Sequence, residues 1–523
     1  MFKKLYKFIL PDDVTVRKRR FELLLWSFLL ALSYYSKWTG FLAWVSLVRP
    51  IIIISSLEKR EAFNAAFFFS FFFNLFALYW VGIVTPPGMV AAVVIIGFYY
   101  AFMFKLFWKV YKIKPLYGYI LFPFLWVGLE YFRTLTEFAF PWSDIGYTQS
   151  YYLNILQIVS VTSVHGLSFI IITVNILLVQ LFRKTVSVER KLTSVFVSIA
   201  ILLGAWSYGW VVTPKYPVPG DYPVAMLQGS VPLEVKWAKG NRGYSFDLYD
   251  SLATTVSGDS INLYVWPETS APCYLTHDKR RQEDVGKIAL KSSCYHLVGA
   301  LGARVDENGE SHFNSCYQVN PEGIIEKRYD KIKLVPFAER VPYQDYLPFL
   351  HEKFLRKYLT FIETYNVQWW SDFRAGDSLK LFELPNAVYS VLICFESTFP
   401  EFVRQGILNG AEFVVGITND TWFKKSVGIH MHSRVFLTRM VENRVWGVRV
   451  ANSGLTYIVD DYGRIRTDLE VYEVAALVGN VKKLDEYSVF TEYGDIIGRI
   501  SFLITISLIG IFILLWLARK VIP

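Results

Sequence analysis

Three residues in the second half of the chain, Cys394, Glu268 and Lys331, have the types and settings of a nucleophilic site. Cys394 closes a strongly apolar run, SVLICFESTFPEF, which turns acidic at Glu396 and so puts the sulfur at a strand end and not mid-sheet. Glu268 ends a second apolar run in VWPETSAP, and Lys331 lies in RYDKIKLVPFAERVPY, between Tyr329 and a Pro-containing loop. Taken singly, each has an ordinary reading: a core thiol, a solvated loop carboxylate, an exposed lysine among other basic residues. Together they specify a class of chemistry. A cysteine attacks an acyl carbonyl and forms a thioester. A carboxylate beside it takes the thiol proton and later activates the incoming nucleophile. An ammonium stabilises the tetrahedral oxyanion, helped by a backbone N–H near Cys394, and lowers the thiol pKa. No histidine is required, which suits a chain with only 7.

Such groups need a rigid frame. From about Tyr216 the sequence becomes short β-rich apolar runs separated by polar and Gly/Pro punctuation. Buried strands are expected at PVAMLQG (223–229), INLYVWPE (261–268), LVGALG (297–302), YSVLICFE (389–396) and EFVVGITN (412–419). Helices are expected between them, at Lys279–Cys294 and Phe402–Asn409 for example. Strands alternating with helices make an α/β domain, whose active groups sit just beyond strand ends. Glu268, Cys394, Glu396, Asn419 and Asp420 all fall there. The GIHMHSR segment (His430, His432) lacks a third ligand at suitable spacing, so no metal is expected. The 4 cysteines suggest neither a disulfide scaffold nor a zinc site, and pairing among Cys273, Cys294 and Cys316 stays open. No internal repeat, low-complexity tract or phosphate-cradling Gly-rich loop is present.

The rest of the chain is of a different kind. Apolar residues make up 53% of the 523 residues and charged ones 19%, against about 25% charged in a soluble domain. Mean hydropathy is +0.31, which excludes a wholly soluble or disordered chain. Seven apolar stretches precede the α/β region: Leu23–Tyr35, Phe41–Ser55, Ala65–Val84, Met89–Val110, Leu116–Arg133, Val164–Phe182 and Val195–Val212. An eighth, Ile500–Leu517, closes the chain. The first follows the basic cluster Arg17–Arg20 but has no small-residue cleavage site after it, so it reads as a retained helix.

Lysine and arginine in short loops set the orientation. Lys3, Lys4, Lys7 and the 17–20 cluster, then Lys59 and Arg60, Lys105 to Lys114, Arg183 to Lys191, and finally Arg519 and Lys520 all fall on one side. Both termini are therefore expected in the cytoplasm and the large domain on the outer face. The basic excess behind the net charge of +9 follows from attraction to anionic lipid and needs no nucleic acid.

At its three chemical residues the sequence resembles the nitrilase superfamily, whose Glu-Lys-Cys triad occurs in this order. Seven spans before the domain and one after narrow the resemblance to the apolipoprotein N-acyltransferase family, over nearly the whole chain. VWPETSAP matches the family's base motif (Glu268), YDKIKLVPFAERVPY its lysine motif (Lys331, with Glu339 as a further acidic residue), and LICFE its nucleophile motif (Cys394 and Glu396). QGSVPLEVKW, ending at Trp237, resembles the first strand-and-loop segment. GITNDTWF and RMVENRVWGVRVANSG resemble the closing block, with Asn419, Asp420, Trp422, Arg439, Glu442, Arg444 and Asn452 in register. Phe395 departs from the family's usual Tyr, which removes a hydroxyl and leaves a ring to shape the acyl pocket.

The resemblance implies an eight-helix transmembrane bundle (residues 1–215 and 493–523) plus an inserted α/β nitrilase-like αββα sandwich (216–492). It implies ping-pong transfer at the periplasmic face of the bacterial inner membrane, without cofactor or metal, by a monomer. Cys394 takes an acyl chain from a phospholipid such as phosphatidylethanolamine and passes it to the α-amine of a diacylglyceryl apolipoprotein. Glu268 is the base and Lys331 the oxyanion stabiliser, with Glu339 and Glu396 orienting Lys331 or the substrate amine and with Trp237 and Phe395 supporting. Both substrates being lipids, a pocket open to the bilayer is expected, with apolar residues of 335–350 as a candidate lid. Two other classes stay open: a membrane-tethered carbon-nitrogen hydrolase whose thioester is resolved by water, and an inert binding module.

Overall fold

The computed structural model describes residues 11–521 apart from 239, 258–259, 307–308 and 348–371. Lys3, Lys4, Lys7, the side chains of Arg519 and Lys520, and the last three residues of the 335–350 loop lie outside the described residues. The chain divides into two compact units, Met1–Thr213 with Asp495–Pro523, and Pro214–Gly494.

The first unit is helical. Its main helices are α1 (Val14–Leu32), α2 (Val48–Ser56), α3 (Lys59–Ala77), α4 (Pro86–Ile113), α5 (Pro115–Phe132), α6 (Val159–Val179), α7 (Val188–Val212) and a C-terminal helix Ile496–Val521. Among the described residues, four helical segments are long and apolar enough to cross a membrane: Pro86–Ile113, Val159–Phe182, Val188–Val212 and Ile496–Ala518. Local chemistry sets their starts. The TPPG segment is the opening of α4: Thr85 accepts from Gly88 N at 3.0 Å, and prolines occupy the first turn, where no N–H is needed. α7 and the C-terminal helix expose Leu192, Phe196, Leu203, Leu514 and Trp516, the apolar faces that lipid covers on a membrane helix.

The second expected span is not one helix. Phe41–Ser55 divides into a 3-10 turn, Gly40–Trp44, and the nine-residue α2. Pro50 has no N–H to give the carbonyl four residues back, so the helix starts just before it. At 1.5 Å per residue α2 is about 14 Å long, under half a bilayer core.

This unit also buries a charged network that its composition does not announce. Arg133 pairs with Asp144, and His165 bonds Asp495 just before the C-terminal helix. His165 Nε2 lies 3.6 Å from the same Asp144. Glu130 Oε1 accepts from Trp126 Nε1 and Ile145 N, both at 2.8 Å. The C-terminal helix packs closely on α5, because a Cβ at Gly128 would stand 2.3 Å from Thr505 Oγ1. Ionised groups are costly in such surroundings; Arg133 is paired with Asp144 and His165 with Asp495, while Glu130 is held by neutral donors.

The second unit holds two sheets. β1 (Tyr222–Gln228), β2 (Leu263–Val265), β3 (Ala271–Tyr274), β4 (Tyr295–Asp306), β5 (Gly309–Val319), β6 (Ile325–Asp330) and β13 (Ala475–Val481) form a seven-stranded sheet, ordered β13-β1-β2-β4-β5-β6 with β3 on β4. β7 (Leu381–Leu384), β8 (Ala387–Ile393), β9 (Phe413–Thr418), β10 (Gly447–Ala451), β11 (Thr456–Val459) and β12 (Ile465–Leu469) form the other, ordered β12-β11-β10-β9-β8-β7. Helices α8 (Arg242–Thr255), α9 (Lys279–Ser292), α10 (Pro400–Leu408) and α11 (Val427–Asn443) connect them.

The parallel centres are β1-β2-β4 and β8-β9-β10; all but β10 are the continuous apolar runs expected from the sequence, whereas β10 (GVRVA) carries Arg449 at its centre and is not among them. β9 is buried at every residue. The outer strands are antiparallel, among them β5, β6, β7, β11, β12 and β13. The two sheets face each other, with Tyr222 and Phe413 rings 5.9 Å apart and Tyr389 donating to Gln318 at 2.9 Å. The expected strand over 261–268 is only three residues long, because its end turns back to present Glu268.

Candidate active site

Cys394 directly follows β8 and opens a 3-10 turn, Cys394–Thr398. Its φ of 53° is left-handed, a costly backbone for a residue with a Cβ that persists only when neighbours fix it. They do. Ile393 N donates to Glu396 Oε2 at 2.8 Å. The Cys394 carbonyl accepts from Ser397 Oγ at 3.0 Å and meets His432 Nε2 at 3.1 Å. His432 is in turn held by Asp420 at 2.8 Å, and Asp420 by Arg449 at 2.7 Å. His432 thus props the nucleophile's backbone, and no metal-holding cluster occurs among the described residues.

Glu268 lies three residues past β2, on a turn seated against β4. Trp266 N donates to Leu297 O at 2.9 Å and Ser270 Oγ to Gly299 O at 3.1 Å. Gly299 makes this seat possible: a Cβ there would stand 2.2 Å from Pro267 O and 2.8 Å from Glu268 Cα. Lys331 directly follows β6 and its backbone N–H donates to Asn314 O at 2.8 Å.

These three strand ends bring the side chains together. Lys331 Nζ lies 2.9 Å from Glu339 Oε1 and 3.8 Å from Glu268 Oε1, and Lys331 is 1% exposed. Glu339 is fixed from behind by Val335 N, at 2.8 Å to Oε2. Asn314, from β5, donates to Glu268 at 2.7 Å and to Glu339 at 3.2 Å. Sequence reasoning missed Asn314; only its place in a strand beside the lysine motif marks it.

Electrostatics assign the protons. Burial alone would lower the Lys331 pKa, yet the charges of Glu339 and Glu268 and the hydrogen bond to Glu339 outweigh it and hold the lysine above its ordinary value, as an ammonium. Burial pushes the Cys394 thiol up, and Glu268 adds to the rise. Lys331 acts in the expected direction on the thiol but does not win. Cys394 therefore rests as a thiol, and to act as a nucleophile it would need a base beside it.

Among the other expected site residues, Glu396 is fully buried, within reach of the Lys331 charge. Its Oε1 accepts from Tyr329 OH at 2.6 Å, Ile332 N at 2.7 Å and Lys333 N at 3.2 Å. It clasps the lysine loop to the nucleophile turn. Phe395 is 2% exposed and packs edge-on against Phe399, ring centroids 5.2 Å apart, as an interior residue. Trp237 is half exposed, after the one-turn helix Leu233–Lys236. In the 335–347 loop Val341 and Gln344 are buried, and Tyr346 is exposed. None of the four cysteines is joined in a disulfide; Cys294 donates to Ile261 O at 3.2 Å.

Residues 27–177 match the apolipoprotein N-acyltransferase N-terminal domain, and residues 224–475 match the carbon-nitrogen hydrolase family, making the second unit a nitrilase-like α/β domain. An apolipoprotein N-acyltransferase from Geobacter metallireducens is 31% identical over 507 residues, covering 93% of this chain and 94% of its own. One from Chlorobaculum tepidum is 27% identical over 508 residues, covering 92% of each. A solved structure of a Nesterenkonia AN1 amidase from the nitrilase superfamily is 16% identical, with a TM-score of 0.36 over 51% of this chain and 93% of its own.

Proposed function

The chain belongs to the apolipoprotein N-acyltransferase family, and from that premise we propose that Glu268, Lys331 and Cys394 move an acyl chain from a phospholipid, such as phosphatidylethanolamine, to the N-terminal amine of a diacylglyceryl apolipoprotein. The observation that carries this reading is the Lys331 ammonium, held between Glu268 and Glu339 with its charge reaching the Cys394 thiol.

In the first half, Cys394 Sγ attacks the ester carbonyl carbon as its proton passes to Glu268. The carbonyl oxygen becomes an oxyanion, which the Lys331 ammonium stabilises. Collapse breaks the bond to the glycerol oxygen, which takes the proton from Glu268 and leaves as lysophospholipid. A thioester remains on Cys394. In the second half the acceptor amine attacks that thioester and gives its proton to Glu268. Collapse expels the sulfur, which recovers the proton and regenerates the thiol. Glu339 and Asn314 act by positioning Lys331 and Glu268, and Glu396 by positioning the two loops.

A carbon-nitrogen hydrolase would use the same three groups with water as the second nucleophile. The match of residues 27–177 to the N-acyltransferase N-terminal domain favours transfer. We assign the membrane domain to 1–215 and 493–523 and the catalytic domain to 216–492. The remaining assignments are eight membrane segments, cytoplasmic termini and a catalytic domain on the periplasmic side of the inner membrane, on the strength of the basic loops.

The test is incubation of purified protein with phosphatidylethanolamine and a diacylglyceryl-cysteinyl peptide. The peptide gains one amide-linked acyl chain with wild type, and gains none with Cys394→Ala or Lys331→Ala although both insert in membranes. A wild-type rate in Cys394→Ala would end the triad assignment. Free fatty acid without acylated peptide would turn the reading to the hydrolase.

A further inference from the structure

Lys236 ends the one-turn helix Leu233–Lys236. It is 1% exposed, and its Nζ has no hydrogen-bond partner among the described residues. An ammonium so placed is costly, and buried lysines are normally paired. Disorder of the segment does not explain it. Val231 N donates to Asn452 Oδ1 at 3.1 Å, Asn452 Nδ2 returns a bond to Val231 O at 2.8 Å, and Ser230 N donates to Asn452 O at 2.7 Å. The chain is thus tied to the residue just after β10.

Glu268 is the charged group whose field reaches Nζ. That carboxylate is already engaged, by Asn314 at 2.7 Å and by Lys331 at 3.8 Å. Burial, opposed by Glu268, lowers the Lys236 pKa to about 8, so the cation persists at neutral pH. An unpaired buried cation in the field of Glu268 has room in its electrostatics for one more anion, and the substrates differ in whether they bring one. The acceptor brings an amine, a thioether and a peptide group. The donor brings a phosphodiester, five bonds from the ester oxygen that leaves. A lysine suits it, as a compact point charge with three donors.

Resting on the function proposed above, we propose that Lys236 is the recognition residue for the phosphodiester of the donor lipid, pairing with a phosphate oxygen as the neighbouring acyl ester meets Cys394. It makes the site selective for phosphoglycerides over neutral acyl esters.

The experiment compares wild type, Lys236→Met and Lys236→Arg in the same mixed micelles, with phosphatidylethanolamine and with the phosphate-free donor p-nitrophenyl palmitate. The readouts are lysophospholipid and p-nitrophenol release. The ratio of kcat/KM for the phospholipid to that for the ester falls about 10- to 100-fold in Lys236→Met, as loss of one charge-assisted bond implies. The fall lies mainly in KM, and Lys236→Arg recovers part of it. Removing an unpaired buried charge leaves the unfolding temperature of the Met variant at or above that of wild type; should Met misfold, Lys236→Gln is read instead. Equal losses on both donors, or an unchanged ratio, would overturn the inference. Wild type that accepts the ester but never the phospholipid would instead overturn the functional reading.

Discussion

The backbone N–H of Ile332 donates to Glu396 Oε1 at 2.7 Å, across 64 positions of sequence. The other oxygen accepts from Ile393 at 2.8 Å. Ile332 follows Lys331 and Ile393 precedes Cys394, so one buried carboxylate sets the spacing between ammonium and nucleophile. Glu396→Ala leaves these backbone donors and the Tyr329 hydroxyl unpaired. It should cost about 3–5 kcal/mol of stability and lower acyl-enzyme formation by a larger factor than Glu396→Gln. Chemical unfolding and single-turnover acylation of both variants check this.

Gly299 seats the turn that carries Glu268. Gly299→Ala forces a shift of Pro267 or of β4, costing about 1–3 kcal/mol by overpacking. Displacement of the base by a fraction of an ångström should lower kcat about 10- to 100-fold with little change in donor KM. A fall confined to KM would place Glu268 outside the chemistry.

Asn314 donates to both Glu268 and Glu339. Asn314→Leu removes those bonds and should reduce kcat about 10-fold or more. Asn314→Asp adds a third carboxylate around Lys331, so at neutral pH it should be less active than Asn314→Leu. Its activity should recover as the pH falls and one carboxyl takes a proton. Parallel pH–rate profiles of the two variants decide this.

Asp420 contributes acid sensitivity. Burial would raise its carboxyl, but Arg449 and His432 outweigh burial and hold it well below the usual carboxylate range. The folded state therefore releases this proton more readily than the unfolded chain. The resulting stability is present above the unfolded value, near pH 4, and is lost as the pH falls below it. Asp420→Asn should lower stability at pH 7 by about 3–5 kcal/mol and flatten the acid limb of the stability profile. An acid limb identical to wild type would refute the assignment.

The sequence displays the parts of this molecule that are local. β8 and β9 read as apolar runs broken at Cys394 and Asn419, and the three proposed catalytic residues each follow a strand, Glu268 after β2, Lys331 after β6 and Cys394 after β8. The outer antiparallel strands do not read this way. β12 and β13 are mostly half-buried, so IRTDL and AALVGNV carry no continuous apolar signal. Asn314 and Lys236 sit in polar stretches whose burial only tertiary packing creates. Glu396 is legible as an acidic residue two places after Cys394, but its partners, Tyr329 in β6 and Ile332 just after it, belong to the other sheet. In the helical unit, hydropathy counts Phe41–Ser55 as one run, whereas Pro50 makes it two short pieces.

The proposed reaction passes through a covalent acyl-cysteine, which intact mass of the purified protein after incubation with phosphatidylethanolamine reads out. Wild type is expected to gain the mass of one acyl chain, hydroxylamine to remove it, and Cys394→Ser to show no hydroxylamine-labile thioester. Rapid quenching keeps hydrolysis from hiding the adduct. An adduct of equal lability in Cys394→Ser, or none in wild type while acyl transfer proceeds, would contradict it.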